Sequence, residues 1–175
     1  VVTTEQLLAG LDRVRAAPAD AGTLELIVRR PAVGEREVVA EGELDVELGL
    51  VGDSWSERGS RPNPKAQVTV MSSRAAALIA GGREHWALAG DQLYVDLDLS
   101  PTNLAPGTQL SVGSAVLEVT DQPHLGCGKF TQRFGEEARE FVNTPEGVAL
   151  SLRGLNTRVV ESGVVRQGDP VRKLA

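Results

Sequence analysis

A mainly β fold, a barrel or a sandwich with a few short helices, is what the sequence predicts. Leu93, Val95, Leu97 and Leu99 alternate with Tyr94, Asp96 and Asp98, and Leu44, Val46 and Leu48 alternate with charged residues. Period-two runs of this kind read as strands with one face in a core and one in water. The runs are short and lie between glycine, proline and serine clusters, which mark closely spaced turns. Helical periodicity is confined to brief stretches.

The chain opens with one of those stretches. Thr3-Thr4-Glu5-Gln6 has the spacing of a capping box, Leu7, Leu8, Leu11 and Val14 follow at helical intervals, and Pro18 marks the stop. Leu24, Ile27 and Val28 form a short strand ended by Pro31. Ser72 or Ser73 can cap a helix from Arg74 to Ala80, with Gly81 as its terminator. Gln109 to Val112 and Ala115 to Thr120 flank Gly113-Ser114 as a two-residue hairpin, and Thr157 to Val160 with Val164 to Arg166 read as a second hairpin. Phe130, Phe134, Ala138, Phe141 and Val142 sit at helical spacing, but Gly135 argues against one unbroken helix.

Bulk properties narrow the function classes. With 175 residues and 41% hydrophobic content the chain can bury one core, and it reads as a single domain over 1–175. Residues 1–48 supply the helix and lead-in strands, and 49–171 hold the motifs. A net charge of −6 and 3% aromatic residues point away from nucleic acid and from anionic membrane as partners. No segment is long and apolar enough to span a bilayer, and Val1 to Ala17 mixes charged residues, unlike a secretory signal. A cytoplasmic location is therefore expected. The single cysteine allows no internal disulfide.

Chemistry concentrates in two places. Cys127 lies in His124-Leu125-Gly126-Cys127-Gly128-Lys129, where flanking glycines permit close approach. A thiolate is a nucleophile and a soft metal ligand; a buried cysteine is otherwise only a small apolar residue. His124 reads as a loop residue that flanks or tunes the thiol. His124-x-x-Cys127 is half of a zinc pattern, but the only other histidine is His85 and there is no second cysteine. The other place is the long connection from Gly49 to Pro64, rich in glycine, serine and proline, a length more often functional or disordered than idle. Asp53, Asp91 and Asp169 each follow a glycine and read as turn residues whose carboxylates bond local backbone N–H groups. There is no credible Ser-His-Asp order and no Gly-x-x-x-x-Gly-Lys-Ser/Thr loop.

Several short motifs share an order with one known family. Gly49-Leu50-Val51-Gly52-Asp53, Gly90-Asp91-Gln92-Leu93, Gly113 with Ala115-Val116-Leu117-Glu118-Val119, the cysteine segment Cys127, Lys129-Phe130 and Arg133-Phe134-Gly135, then Arg153-Gly154 and Gly168-Asp169-Pro170-Val171 occur in succession. The chain thus resembles the MOSC domain, the module at the C-terminus of molybdenum-cofactor sulfurases, with Gln92 where that family usually reads Asn. The resemblance implies a MOSC-type β-barrel with a few short peripheral helices. It also implies association with the molybdenum–pterin cofactor, in sulfur transfer or in reduction of N-hydroxylated compounds. Cys127 would then be the molybdenum ligand or the sulfur carrier. The cofactor's phosphate needs cations or clustered N–H groups, and the candidates are Arg58, Ser60, Arg61, Lys65, Lys129, Arg133, Arg153 and Asn156. No pyridoxal phosphate domain is expected in the 48 residues before Gly49, and an iron–sulfur relay would need about four cysteines. Electrons for any reduction would come from a separate donor protein. The alternative is a non-catalytic module that carries cofactor or sulfur to a client enzyme.

Overall fold

The computed structural model describes residues 1–175. Helix α1 (Thr4–Arg15) leads into β1 (Ala21–Arg29), β2 (Glu37–Val39), β3 (Glu41–Asp45), β4 (Gly49–Leu50) and β5 (Val68–Ser72). Helix α2 (Ser73–Ala80) and a 3-10 stretch (Arg83–Ala89) precede β6 (Leu93–Asp96), β7 (Gln109–Val112) and β8 (Ala115–Val119). Three short helices follow, α3 (Gly128–Phe134), α4 (Glu136–Val142) and α5 (Pro145–Ala149), then β9 (Leu155–Glu161), β10 (Gly163–Arg166) and β11 (Pro170–Lys173). No helix is long and apolar enough to cross a membrane.

Seven strands close into a mixed barrel in the order β11-β7-β8-β9-β5-β6-β1, and β1 pairs back to β11. Only β5 and β6 run parallel, so the chain must cross over between them, and α2 with the 3-10 stretch makes that crossover. Strand β2 pairs antiparallel with the end of β1, and β10, β3 and β4 form a separate three-stranded sheet.

The apolar residues divide into two cores. Leu24, Ile27, Val70, Leu93, Val95 and Leu117 belong to the barrel interior. Leu7, Leu11, Leu26, Val28, Met71, Tyr94, Phe130 and Phe141 fill a second core between the barrel wall and the helices. Strands β1, β5 and β6 form the wall between the two. Tyr94 is therefore fully buried, although the alternation in β6 reads as one face in water; its hydroxyl donates to the Trp86 carbonyl at 2.8 Å. A register shift between Leu24 and Leu26 turns Leu24 and Ile27 to one core and Leu26 and Val28 to the other.

Several local readings hold. Thr3 makes the capping box with Gln6, Ser72 caps α2, Gly81 ends it at φ 79°, and Val112 pairs with Ala115 around Gly113-Ser114. Gly135, at φ 93°, separates α3 from α4. Two readings fail. Val46 to Leu48 is an exposed turn, because the Asp45 carboxylate accepts from the N–H groups of Glu47 and Leu48. The second hairpin does not exist: β9 pairs with β5 and β8, while β10 pairs with β3. Only Ser162 separates β9 from β10, and the chain leaves the barrel at Gly163, where a Cβ would meet the Ser114 backbone at 2.4 Å.

The β1–β6 pairing depends on close backbone approach at Gly22, where a Cβ would lie 1.7 Å from the Asp96 carbonyl oxygen. Gly22→Ala is expected to destabilise the fold by at least about 1–3 kcal/mol, the usual cost of overpacking. Urea unfolding measures this, and a midpoint equal to wild type would contradict it.

Candidate active site

A cleft of about 380 Å³ opens at the edge of the barrel, between the start of α3, the 30–36 connection and the turn at Gly90. Arg30, Arg36, Arg58, Lys129, Arg133 and Arg153 line it together with Cys127. A roomier hollow of about 490 Å³ beside Val1 and Phe134 is mostly aliphatic and lacks the thiol, so the cationic cleft is the chemically furnished one.

Two of the six cations are buried and paired. Arg30 grips Asp53 through Nε at 2.9 Å and Nη2 at 2.8 Å, and its backbone N–H donates to the same carboxylate at 2.7 Å. Asp53 also accepts from Trp55 N and from Gln92 Nε2. Gln92 in turn accepts at Oε1 from the Thr69 backbone and hydroxyl, both at 2.7 Å. The glutamine that departs from the family pattern is thus a fully buried strut. Burial opposes ionisation of Asp53, but the Arg30 hydrogen bonds outweigh it and hold the carboxyl below its usual range.

Arg153 pairs with Asp91, a carboxylate with no solvent exposure. The other oxygen of Asp91 bonds His124 Nε2 at 2.8 Å. Arg153 also donates from Nη2 to the Ala89 carbonyl at 3.0 Å, and its guanidinium carbon lies 5.1 Å from the Phe130 ring centre. Burial pushes the Asp91 pKa up, but Arg153 and His124 prevail and hold it well below the carboxylate range. Asp91 is thus not the locally bonded turn residue that its sequence neighbours suggest. Its partners come from distant segments, because a buried carboxylate needs charged donors and the turn offers none. Asp53 does bond a local N–H, that of Trp55, and Asp169 does so with Arg166.

Arg36, Arg58, Lys129 and Arg133 face the cleft with no carboxylate partner. Arg36 donates only to the carbonyls of Ala87 and Glu35. Burial first, then repulsion from Arg133 and Arg30, lowers the Arg36 pKa; burial and Arg30 do the same for Arg58. Gly90, at φ 89°, lets the cations crowd: a Cβ there would lie 3.1 Å from Arg133 Nη1 and 3.3 Å from Arg36 Nη2.

Cys127 is exposed and occupies the N-cap position of α3. The Phe130 backbone N–H lowers its pKa most; partial burial opposes this, and the Lys129 N–H and the charges of Arg153 and Lys129 add to the lowering. The preceding Gly126 is clamped by the Asn143 side chain, which accepts from its N–H at 2.8 Å and donates to its carbonyl at 2.9 Å.

The structure therefore brings Cys127, Arg58, Lys129, Arg133 and Arg153 to one cleft, with His124 behind Arg153. It places other candidates elsewhere. Ser60 and Arg61 are exposed and do not line the cleft. Lys65 pairs with Asp121 at 2.8 Å. Asn156 donates to the carbonyls of Gln122 and Pro123, holding the segment that leads to His124. Sequence reasoning missed Arg30 and Arg36. Their one signal was a pair of basic positions around Pro31 and Gly34, residues that reverse the chain after β1.

Asp91 gives a pH test. Its folded pKa is depressed, so its stabilising contribution is present above the unfolded value of about 3.9 and is lost as pH falls through the folded one. Asp91→Asn should cost about 3–5 kcal/mol at pH 7 by leaving Arg153 buried without its counter-charge. The gap to wild type should narrow below about pH 4; urea unfolding at both pH values decides, and a constant gap would refute the assignment. Cys127 should titrate below its ordinary thiol value, because the Phe130 and Lys129 N–H groups and the nearby cations favour the thiolate. With one cysteine in the chain, thiolate absorbance against pH reads it directly, and a midpoint at or above the ordinary value would contradict the geometry.

Residues 53–172 match the MOSC domain. Solved structures with a similar fold include the YuaD protein from Bacillus subtilis, at TM-score 0.58 and 18% identity, covering 86% of this chain and 94% of that one. YiiM from Escherichia coli aligns at TM-score 0.59 and 22% identity over 87% of this chain and 70% of its own. YiiM from Geobacillus stearothermophilus aligns at 0.51 and 14% over 91% and 75%. At such identities these likenesses speak to the fold, and they agree with the barrel described above. The match covers well over half of the sequence and includes every cleft residue except Arg30, Arg36 and the connection between them, and so the chain belongs to the MOSC domain family.

Proposed function

We propose that the cationic cleft binds the molybdenum–pterin cofactor and that Cys127 serves as its molybdenum ligand or carries its sulfur. The observation that carries this reading is the group of four cleft cations without a carboxylate partner, beside an exposed thiol held toward its thiolate form. Like charges gathered around one cleft raise its positive potential and favour a polyanionic ligand. The donor set suits the cofactor: guanidinium groups for phosphate oxygens and a soft sulfur for the metal. A buried donor without any partner, Arg153 Nε, supports the same fit.

In this reading Arg36, Arg58, Lys129 and Arg133 neutralise the phosphate and Arg153 orients it beside Cys127. The α3 N–H groups, Arg153 and Lys129 lower the Cys127 pKa and so favour the thiolate form, which would ligate the metal or carry a persulfide. When bound, the cofactor would supply a metal centre able to remove oxygen from a small N-hydroxylated substrate. Turning N–OH into N–H takes two electrons and two protons and releases water. The electrons would come from a separate donor, since this chain has one cysteine and a cluster relay needs about four. A second reading, delivery of cofactor or sulfur to a client enzyme, is favoured by one feature: Leu125 beside the thiol segment is 51% exposed and Val33 at the cleft wall is 93% exposed.

Protein purified from molybdate-replete cells should carry molybdenum and a fluorescent pterin. Cys127→Ser should lose the metal, or transferable sulfur, with a melting temperature within about 2 °C of wild type, because the position is exposed. Wild-type protein free of both metal and pterin would refute the cofactor reading. A loaded but inert protein that passes its cofactor to an apo-enzyme would favour the delivery reading.

A further inference from the structure

Arg153 differs from the other cations of the cleft. It is 8% exposed, yet its Nε has no hydrogen-bond partner. A guanidinium carries five N–H donors, and here the bonds to Asp91 and to the Ala89 carbonyl are the ones it makes. Buried donors without partners are rare in folded proteins, and in a cleft wall they point to an acceptor that a ligand supplies. The same side chain is held from behind. Asp91 has no solvent exposure and divides its two oxygens between Arg153 and His124. An ionised carboxylate only accepts, so His124 donates from Nε2. The packing around this pair is close: a Cβ at Gly154 would meet the Val70 carbonyl oxygen at 2.3 Å and His124 Cδ2 at 3.3 Å.

His124 stands on the segment that carries Cys127, three residues before it. The chain Cys127 segment–His124–Asp91–Arg153 thus ties the thiol and the guanidinium together through one buried carboxylate. An arginine free in solvent loses rotamer freedom when it grips a ligand. One already fixed by folding has no such loss left to incur. The unpaired cations supply charge, and Arg153 supplies geometry.

We infer that Asp91 and His124 are positioning residues which hold Arg153 as the oxyanion-gripping group of the cleft, in fixed register with Cys127. This rests on reading the cleft as an anion site. It goes further in giving the buried His124–Asp91 pair its purpose, to hold the gripping guanidinium in place before the ligand arrives.

The probe is inorganic phosphate, titrated calorimetrically at low salt into wild type, Arg153→Lys, His124→Ala and His124→Gln. Arg153→Lys and His124→Ala should each bind about ten-fold more weakly or worse, as expected for losing a charge-assisted bond. His124→Gln, whose amide can still donate to Asp91, should return to within about two-fold of wild type. In ¹H–¹⁵N spectra the Arg153 Nε–H signal, identified by its loss in Arg153→Lys, should shift on adding phosphate in wild type and His124→Gln but not in His124→Ala. A role in stability alone would lower the melting temperature of His124→Ala without this pattern. Phosphate bound as tightly by Arg153→Lys or His124→Ala as by wild type overturns the inference while leaving the cleft an anion site. So does a His124→Gln variant as weak as His124→Ala. A wild-type protein that does not take up phosphate removes the anion-site reading itself, and this inference with it. Should His124→Ala fail to fold, Arg153→Lys and His124→Gln still decide.

Discussion

Two guanidinium groups are buried where the cleft meets the barrel, and each can stay there only beside a carboxylate. Taking an unpaired charge out of water costs far more than any single packing contact returns. Arg30 has Asp53 and Arg153 has Asp91. Both carboxylates stand in glycine-led turns at strand or coil boundaries, Gly52-Asp53 and Gly90-Asp91, and both are satisfied by more than their arginine. Once these pairs are in place, the 30–36 connection, the Gly90 turn and the Cys127 segment are fixed relative to one another. The remaining cations are then crowded into a space that contains no further carboxylate partner for them.

The barrel makes that arrangement possible. Strands β1, β5 and β6 are apolar on both faces because one face fills the barrel and the other receives the helices. This double-sided wall anchors both ends of the site. Arg30 leaves the end of β1, and Gly90-Asp91 lies just before β6. Helix α3 buries Phe130 and Phe134 in the second core, which sets Cys127 at the cleft edge. Gln92 joins the two layers by bonding both Thr69 of β5 and Asp53 beyond β4.

Local physics was legible in the sequence wherever an element depends on its near neighbours. The capping box at Thr3, the Ser72 cap, the Gly113-Ser114 hairpin and the break at Gly135 depend on residues within a few positions and follow from them. The false hairpin at 161–163 shows the limit: its flanking runs are genuine strands, but pairing partners are chosen by sheets assembled from distant segments. The turn at Val46 to Leu48 fails for a subtler reason. Its alternation is a strand pattern, yet the Asp45 carboxylate captures two backbone N–H groups that a ladder would have used.

The site divides along the same line. The sequence by itself determined the mainly β class, the order of motifs that marks the family, and Cys127 with Lys129, Arg133 and Arg153 as chemical candidates. These are properties of residue type and of spacing over short stretches. Only the tertiary structure decided that Arg30 and Arg36 join the cleft, that Lys65 and Asn156 are engaged elsewhere, and that Asp91 reaches His124 and Arg153 across 33 and 62 positions. A buried charge chooses its partner by proximity in space, and that proximity is created by barrel closure, which no local pattern encodes.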